Sequence, residues 1–117
     1  RKESSAASDV YKRQLIDGLK WYVDRAHALG LSVYIGTLLP IEGWRTYAPF
    51  REELKNQVNE WIRLTDGFEG CIDFDLAVQD PDHPAAFKAG YDSGDHLHPS
   101  GTGYKAMADA VPKSFLY

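Results

Sequence analysis

Between Leu15 and Leu29 the apolar positions are Leu15, Ile16, Leu19, Tyr22, Val23, Ala26 and Leu29. Their three- and four-residue spacing predicts a helix with one buried face, and Gly30 is its natural stop. LSVYIGTLL follows, rich in branched and aromatic residues and bounded by Gly30 and Pro40; it reads as a buried strand of a parallel sheet. PIEGWRTYAPF, with two prolines and a glycine, reads as a loop. A second helix is expected from about Phe50 to Leu64, with Leu54, Val58, Trp61 and Ile62 facing inward. TDGFEG ends it and GCIDFD is a second buried strand. LAVQDPDHPAAFKAGYDSGD is proline-rich and polar, a long loop with at most one helical turn. A last helix, from about Ser100 to Ala110, carries Tyr104, Met107, Ala108 and Val111, with Ser100 as its N-cap. Trp21, Tyr22 and Trp61 read as core or core-edge residues.

Helix, strand, helix, strand, long loop, helix: this alternation implies an α/β chain, a parallel sheet with helices packed on its faces. Two strands alone leave sheet edges and faces uncovered. The chain is therefore expected to be part of an α/β domain, and an uncovered edge is a route to self-association.

The stretch from Ser4 to Gln14, SSAASDVYKRQ, shares none of the pattern that follows it. It lacks the apolar centre of a signal peptide, and its composition is that of a disordered tail. Written back into codons, all eleven residues resemble a translated transposon-based sequencing adapter. On that reading residues 1–14 are an artefact or a disordered tail, and the native coding sequence begins at Leu15, inside a gene. The domain is then residues 15–117.

Composition narrows the classes without choosing among enzymes. With 44% hydrophobic and 26% charged residues the chain is ordinary for a soluble globular protein. A net charge of −4 argues against nucleic-acid or anionic-membrane partners, and no apolar run is long enough to span a bilayer. The single cysteine, Cys71, permits no internal disulfide and reads as a buried structural thiol.

The residues that carry chemistry lie in GDHLHPSGTGY, Gly94 to Tyr104. Asp95 and His98, three apart, can share one turn, the carboxylate reaching imidazole Nδ1–H. Such a contact sets the tautomer, leaves Nε2 as a base and stabilises the imidazolium that forms. Pro99 stiffens the backbone beside it. The missing partner is a hydroxyl nucleophile. His96 and His98 flank Leu97, but residues two apart in an extended turn point apart, so no metal site is expected; His96 reads as exposed near the cleft mouth. His83 reads as a loop residue and His27 as a surface or capping one. Asp73 and Asp75, at the end of the second strand, either cap a turn or support the loop presenting the dyad. Asp92 offers His98 a second carboxylate. Trp44 and Tyr47 either line a pocket or pack their loop down.

GDHLHPSGTGYKAMADAV resembles the last block of the SGNH, or GDSL-type, esterases and lipases, where Asp and His sit in a D-x-x-H-P motif before the C-terminal helix. LGLSVYIGTLLPIEGW and VNEWIRLTDGFEGCIDFDLAVQDPDHP resemble that family's preceding elements, so the likeness spans about Leu15 to Val111. It implies a fragment of a three-layer α/β/α, flavodoxin-like fold, and a Ser-His-Asp carboxylic ester hydrolase. In this chain Asp95 would be the orienting acid and His98 the general base. No cofactor or metal is implied, and the substrate would be a small-molecule or acylated-carbohydrate ester. The family's GDS block and its G-x-N-D block have no match here, so the nucleophile and oxyanion hole are absent from these residues. Ser93-Gly94-Asp95 lies in the wrong place to be the nucleophile elbow, and Ser4 and Ser5 fall in the foreign segment. The tail PKSFLY departs from the family. Two other readings stand beside this one: a non-catalytic α/β binding module, and an inactive orphan fragment.

Overall fold

The computed structural model describes residues 3–117; Arg1 and Lys2, at the start of the segment set aside above, lie outside them. Helix α1 runs Glu3–Ala28, strand β1 Tyr34–Gly36, helix α2 Pro49–Leu64 and strand β2 Gly70–Ile72. Then come a short helix α3, Phe74–Val78, strands β3, Gln79–Asp80, and β4, His83–Phe87, and helix α4, Gly101–Ala110. A 3₁₀ turn at Lys113–Phe115 closes the chain.

α1 begins at Glu3, not at Leu15. The stretch from Glu3 to Gln14 has no Gly or Pro to stop a helix, and it finds tertiary partners on α2. Ser8 is fully buried, its hydroxyl 3.4 Å from Gln57 Oε1, and Tyr11 meets Phe50 edge-on at 5.6 Å. At the other end Gly30 adopts φ +76°. The Gly30 and Leu31 N–H groups donate back to the carbonyls of His27 and Ala26, at 2.9 Å each, the double bond of a glycine helix stop.

β1 and β2 pair in parallel, Tyr34 opposite Gly70, Ile35 opposite Cys71 and Gly36 opposite Ile72. Side chains alternate across a strand, and this register divides the molecule into layers. Val33, Ile35 and Cys71 pack on one face into a core with Val23, Val58, Ile62 and Phe68, supplied by α1, α2 and the turn after α2. On the other face Tyr34 stacks on Phe115, with centroids 4.2 Å apart. The two glycines there have a steric reason. A Cβ at Gly70 would lie 2.4 Å from the Phe115 ring, and one at Gly36 2.7 Å from Phe74. So the divergent tail does dock, on the face opposite α1 and α2. The result is a mixed α/β architecture built on a small parallel sheet, as the pattern implied.

Several elements differ from expectation. The second strand stops at Ile72, because Asp73 turns the chain and caps α3, its carboxylate accepting the Leu76 N–H at 3.1 Å. The long loop contains α3 and an antiparallel hairpin, β3 with β4, so His83 is the first residue of a strand. Asp80 makes the hairpin turn by accepting the Asp82 N–H at 2.9 Å. Trp21 and Tyr22 are exposed, not core, whereas Trp61 is half-buried at the core edge. Ile16 and Val23 point inward, while Leu15, Tyr22 and Leu29, seven apart, form a line beyond the edge of the covered face. Cys71 is half-buried, and burial raises its thiol pKa, consistent with a structural thiol.

Candidate functional site

Parallel sheets place their sites beyond the C-terminal ends of the strands. Beyond β1 the chain runs on as an extended loop, residues 37–48, and beyond β2 it meets Asp73. At this end Thr37 Oγ donates to Asp73 at 3.1 Å and accepts the Asp75 N–H at 2.8 Å. Arg63 forks onto the same pair, 2.8 Å from Asp73 Oδ2 and 3.0 Å from Asp75 Oδ2. Asp73 thus caps a turn, and also ties α2 to both strand ends. Partial burial pushes the Asp73 carboxyl up, but Arg63, the Leu76 N–H and the Thr37 hydroxyl together outweigh this and hold it below the ordinary value. Asp75 is 5% exposed and burial wins there: its carboxyl is raised despite Arg63, and no hydrogen bond from the described residues reaches its Oδ1.

The dyad loop is closed at its base. Asp92 and Pro99 pair as an antiparallel bridge, the Ser93 N–H donates to the His98 carbonyl at 3.0 Å, and the Ser100 N–H to the Tyr91 carbonyl at 2.8 Å. Within it Gly94, at φ +117°, makes the turn that no side chain favours. Asp95 Oδ1 accepts the N–H groups of Leu97 and His98 at 2.9 and 2.8 Å and the Ser93 hydroxyl at 3.0 Å. Asp95 Oδ2 lies 2.6 Å from His98 Nδ1. The His98 imidazole, then the two N–H donors, hold the Asp95 carboxyl far below the usual carboxylate range. With Oδ1 occupied by the backbone, the carboxylate presents Oδ2 to Nδ1. Among the described residues no hydrogen bond reaches His98 Nε2, so a neutral ring protonated at Nδ1 keeps Nε2 as an open acceptor.

The structure therefore brings Asp95 and His98 together as their spacing predicts. It gives Asp92 a different partner: Asp92 Oδ2 is 2.6 Å from His96 Nδ1, and Oδ1 accepts the N–H groups of Gly94 and His96. Partial burial raises the Asp92 carboxyl, but those donors and His96 outweigh it and set it below the ordinary value. His96 is exposed, as expected, yet not free. This second pair was within reach of a reading of YDSGDHLHP that tested four-residue as well as three-residue spacings. Ser93 gives its hydroxyl to Asp95, which leaves no nucleophile elbow at Ser93-Gly94-Asp95.

The remaining candidates scatter. His27 meets Glu69 at 2.9 Å near the end of α1, a surface contact far along the chain from the dyad, and His83 meets Glu42. Trp44 is half-buried, with the Arg45 guanidinium 5.0 Å over its ring. Tyr47 is half-buried, and burial, then Glu52, raises its phenol pKa. Neither aromatic lines the two apolar grooves. One groove, about 380 Å³, runs past Leu15, Leu38, Leu39, Ile41, Leu54 and Leu97, and so reaches the dyad loop through Leu97. The other, about 290 Å³, continues along Leu15, Tyr22 and Leu38 to Ile35 and Gly36 of β1. Among the described residues no group of three or more metal-ligating side chains is found, and no helix is long and apolar enough to cross a membrane.

α4 carries the loop. Ser100 caps it as expected, accepting the Gly103 N–H at 3.1 Å, and its hydroxyl also donates to the Gly90 carbonyl at 2.7 Å. Gly103 is buried where the helix meets the loop backbone: a Cβ there would lie 2.5 Å from the Tyr91 carbonyl oxygen. Backbone cannot swing aside as a side chain can. Gly103→Ala is therefore expected to lower stability by a net of about 1–2 kcal/mol, overpacking of up to about 3 kcal/mol exceeding a helix-propensity gain of about 1 kcal/mol. Gly101→Ala, with nothing within 4 Å, should show only the propensity gain. Urea unfolding midpoints of the two variants make the comparison.

The family model described as GDSL-like Lipase/Acylhydrolase family matches residues 2–106 of the chain. No curated protein matches it.

Proposed function

The chain belongs to the GDSL-like lipase/acylhydrolase family, and from that premise we propose that it carries the acid and base of a carboxylic ester hydrolase. His98 is the general base, Asp95 its orienting acid, and the nucleophilic Ser and oxyanion donors come from residues beyond these 117. The observation that carries the reading is the 2.6 Å contact from Asp95 to His98 Nδ1, with Nε2 left open. The Ser hydroxyl gives its proton to Nε2 as it attacks the ester carbonyl. The resulting imidazolium, stabilised by Asp95, returns the proton to the leaving alcohol. Water, deprotonated by the same Nε2, then releases the acid from the acyl-enzyme.

Without the nucleophile there is no covalent step, and each missing oxyanion donor forfeits about 3–4 kcal/mol of transition-state stabilisation. The chain by itself is therefore expected to turn over no ester. On this reading residues 1–14 are foreign to the enzyme, although Glu3–Gln14 continue α1 and the family match reaches residue 2, and the missing part covers the two grooves beside β1. In its absence a second copy of the chain can occupy the same surface, which Leu15, Tyr22 and Leu38 leave exposed.

The test is to re-sequence the source DNA across the Leu15 codon by a method that adds no transposon adapter. A native upstream frame with a GDS block and a later G-x-N-D block is the expected result. The SSAASDVYKRQ codons in native DNA, or aryl-ester turnover by the purified chain that His98→Ala abolishes, would overturn the reading. Sedimentation of the purified chain reads self-association directly.

A further inference from the structure

We propose that His96 is a positioning residue for the Asp95–His98 pair, an inference that rests on the esterase reading above. Held at Nδ1 by Asp92 and seated against Gly43, its ring locks the 92–99 loop to the loop that follows β1.

Three independent features converge on this imidazole. The first is backbone conformation. His96 sits at φ +62°, the left-handed region, where a side chain of this size is uncommon and persists only when its surroundings dictate it. The second is the carboxylate that dictates it. Asp92 accepts the backbone N–H of His96 at 3.0 Å and that of Gly94 at 2.8 Å, and holds the His96 ring by its other oxygen at 2.6 Å. The third is the seat. Gly43, at φ +97°, leaves room for the ring: a Cβ there would lie 2.8 Å from His96 Cγ and 3.0 Å from Cδ2. A glycine is thus required on the β1 side of the contact, both for its backbone and for the space.

The two Asp–His pairs are interleaved along the chain. Asp92 orders the turn through Gly94 and His96, and Asp95 then takes the next two N–H groups, Leu97 and His98. Letting φ of residue 96 relax rotates the Leu97 and His98 amides away from Asp95. That frees the carboxylate to turn and opens the contact to His98 Nδ1. His96 thus acts through Asp95 without touching the reacting atoms, and it ties the dyad to the loop at the strand ends where the site lies.

The experiment reads the ring nitrogens of His98 in the ¹⁵N-labelled chain by long-range ¹H–¹⁵N correlation, at alkaline pH where imidazoles are neutral. In the unaltered chain His98 is expected to be protonated at Nδ1 and bare at Nε2. His96→Asn tolerates the left-handed backbone but removes the ring that holds it, and Gly43→Ala, at an exposed loop position, pushes on the ring while leaving the sequence of the dyad loop unchanged. Both should lower the ratio of Nδ1–H to Nε2–H His98 several-fold, while His83→Asn, which removes only the contact to Glu42, should not. An unchanged ratio in a Gly43→Ala chain with native amide dispersion overturns the proposal. So does an unaltered chain whose His98 carries its proton at Nε2. The esterase reading fails separately: an intact Nδ1–H signature alongside no ester turnover by a polypeptide joining this chain to the Ser-bearing part sinks that reading and leaves the positioning role standing.

Discussion

Replacing His98 by Ala, in a polypeptide that joins this chain to the Ser-bearing part, should lower kcat on an aryl ester by about 10⁴-fold. On the proposed mechanism Nε2 takes the nucleophile's proton and returns it to the leaving alcohol, so both half-reactions would lose it at once. Asp95→Asn is expected to fall by a similar factor, about 10⁴-fold, for a different reason. The carboxylate accepts from His98 Nδ1 on one oxygen and from Ser93, Leu97 and His98 N–H on the other. An amide keeps its oxygen on those donors and turns its NH₂ toward Nδ1. The ring must then accept at Nδ1 and carry its proton on Nε2, the wrong tautomer for a base. Ser93→Ala removes one of three donors to the same Asp95 oxygen, an exposed bond that water can replace, so its activity should stay within about tenfold. Steady-state kinetics on the three variants decide the matter. Near-normal turnover by His98→Ala removes the dyad from the mechanism, and a loss in Ser93→Ala as large as in His98→Ala would make Ser93 the nucleophile.

The largest stability effect expected is at Asn59. Its side chain is fully buried, with Oδ1 accepting the Leu38 N–H at 2.7 Å and Nδ2 donating to the Leu38 carbonyl at 2.9 Å. Thr37 donates its N–H to Ile72 of β2, so Leu38, one residue on, turns its peptide groups to the opposite, outer side of β1. The Asn59 carboxamide bonds there as a residue of a neighbouring strand would. Asn59→Leu, the same branched shape though bulkier, strips both bonds and leaves a donor and an acceptor without partners, a loss of about 2–4 kcal/mol. Asn59→Asp separates hydrogen bonding from shape. At neutral pH the substituted carboxylate still accepts the N–H but opposes the carbonyl, and on protonation it can donate again. Its folded pKa is therefore raised, the stabilising form is the protonated one, and stability recovers as pH falls toward the ordinary carboxylate range. Urea unfolding at two pH values reads both effects. A loss below about 0.5 kcal/mol for Asn59→Leu, the size of an ordinary surface change, would mean that water replaces the carboxamide without penalty.

The contact between Asp95 and His98 was legible because it is local. A carboxylate and an imidazole three residues apart, with Pro99 next in the chain, need only one turn to meet, and the 2.6 Å contact is that turn. The inward faces of α2 and of α1 beyond Leu15, the Gly30 stop and the Ser100 cap were legible for the same reason. What the periodicity could not show is where coverage ends. Leu15, Tyr22 and Leu29 continue the apolar pattern of α1 but stay exposed, and the Glu3–Gln14 extension is helical because α2 offers Ser8 and Tyr11 a surface.

By itself the sequence determined the α/β alternation, the helix limits set by Gly30 and Ser100, and the Asp95–His98 pair, all of which rest on interactions between near neighbours. Only the tertiary structure decided the rest. It determined that Asp92 serves His96, whose ring needs Gly43 from a loop more than fifty residues earlier. It determined that Gly103 is small because the Tyr91 carbonyl abuts it, and that Gly36 and Gly70 are small because Phe74 and Phe115 lie over them. It turned part of a polar, proline-rich stretch into a hairpin, and gave Asn59 the bonds at Leu38 that a neighbouring strand would make. Steric exclusion and hydrogen bonding between distant residues leave no periodic mark, because the partner that imposes them reaches the site only when the chain has folded.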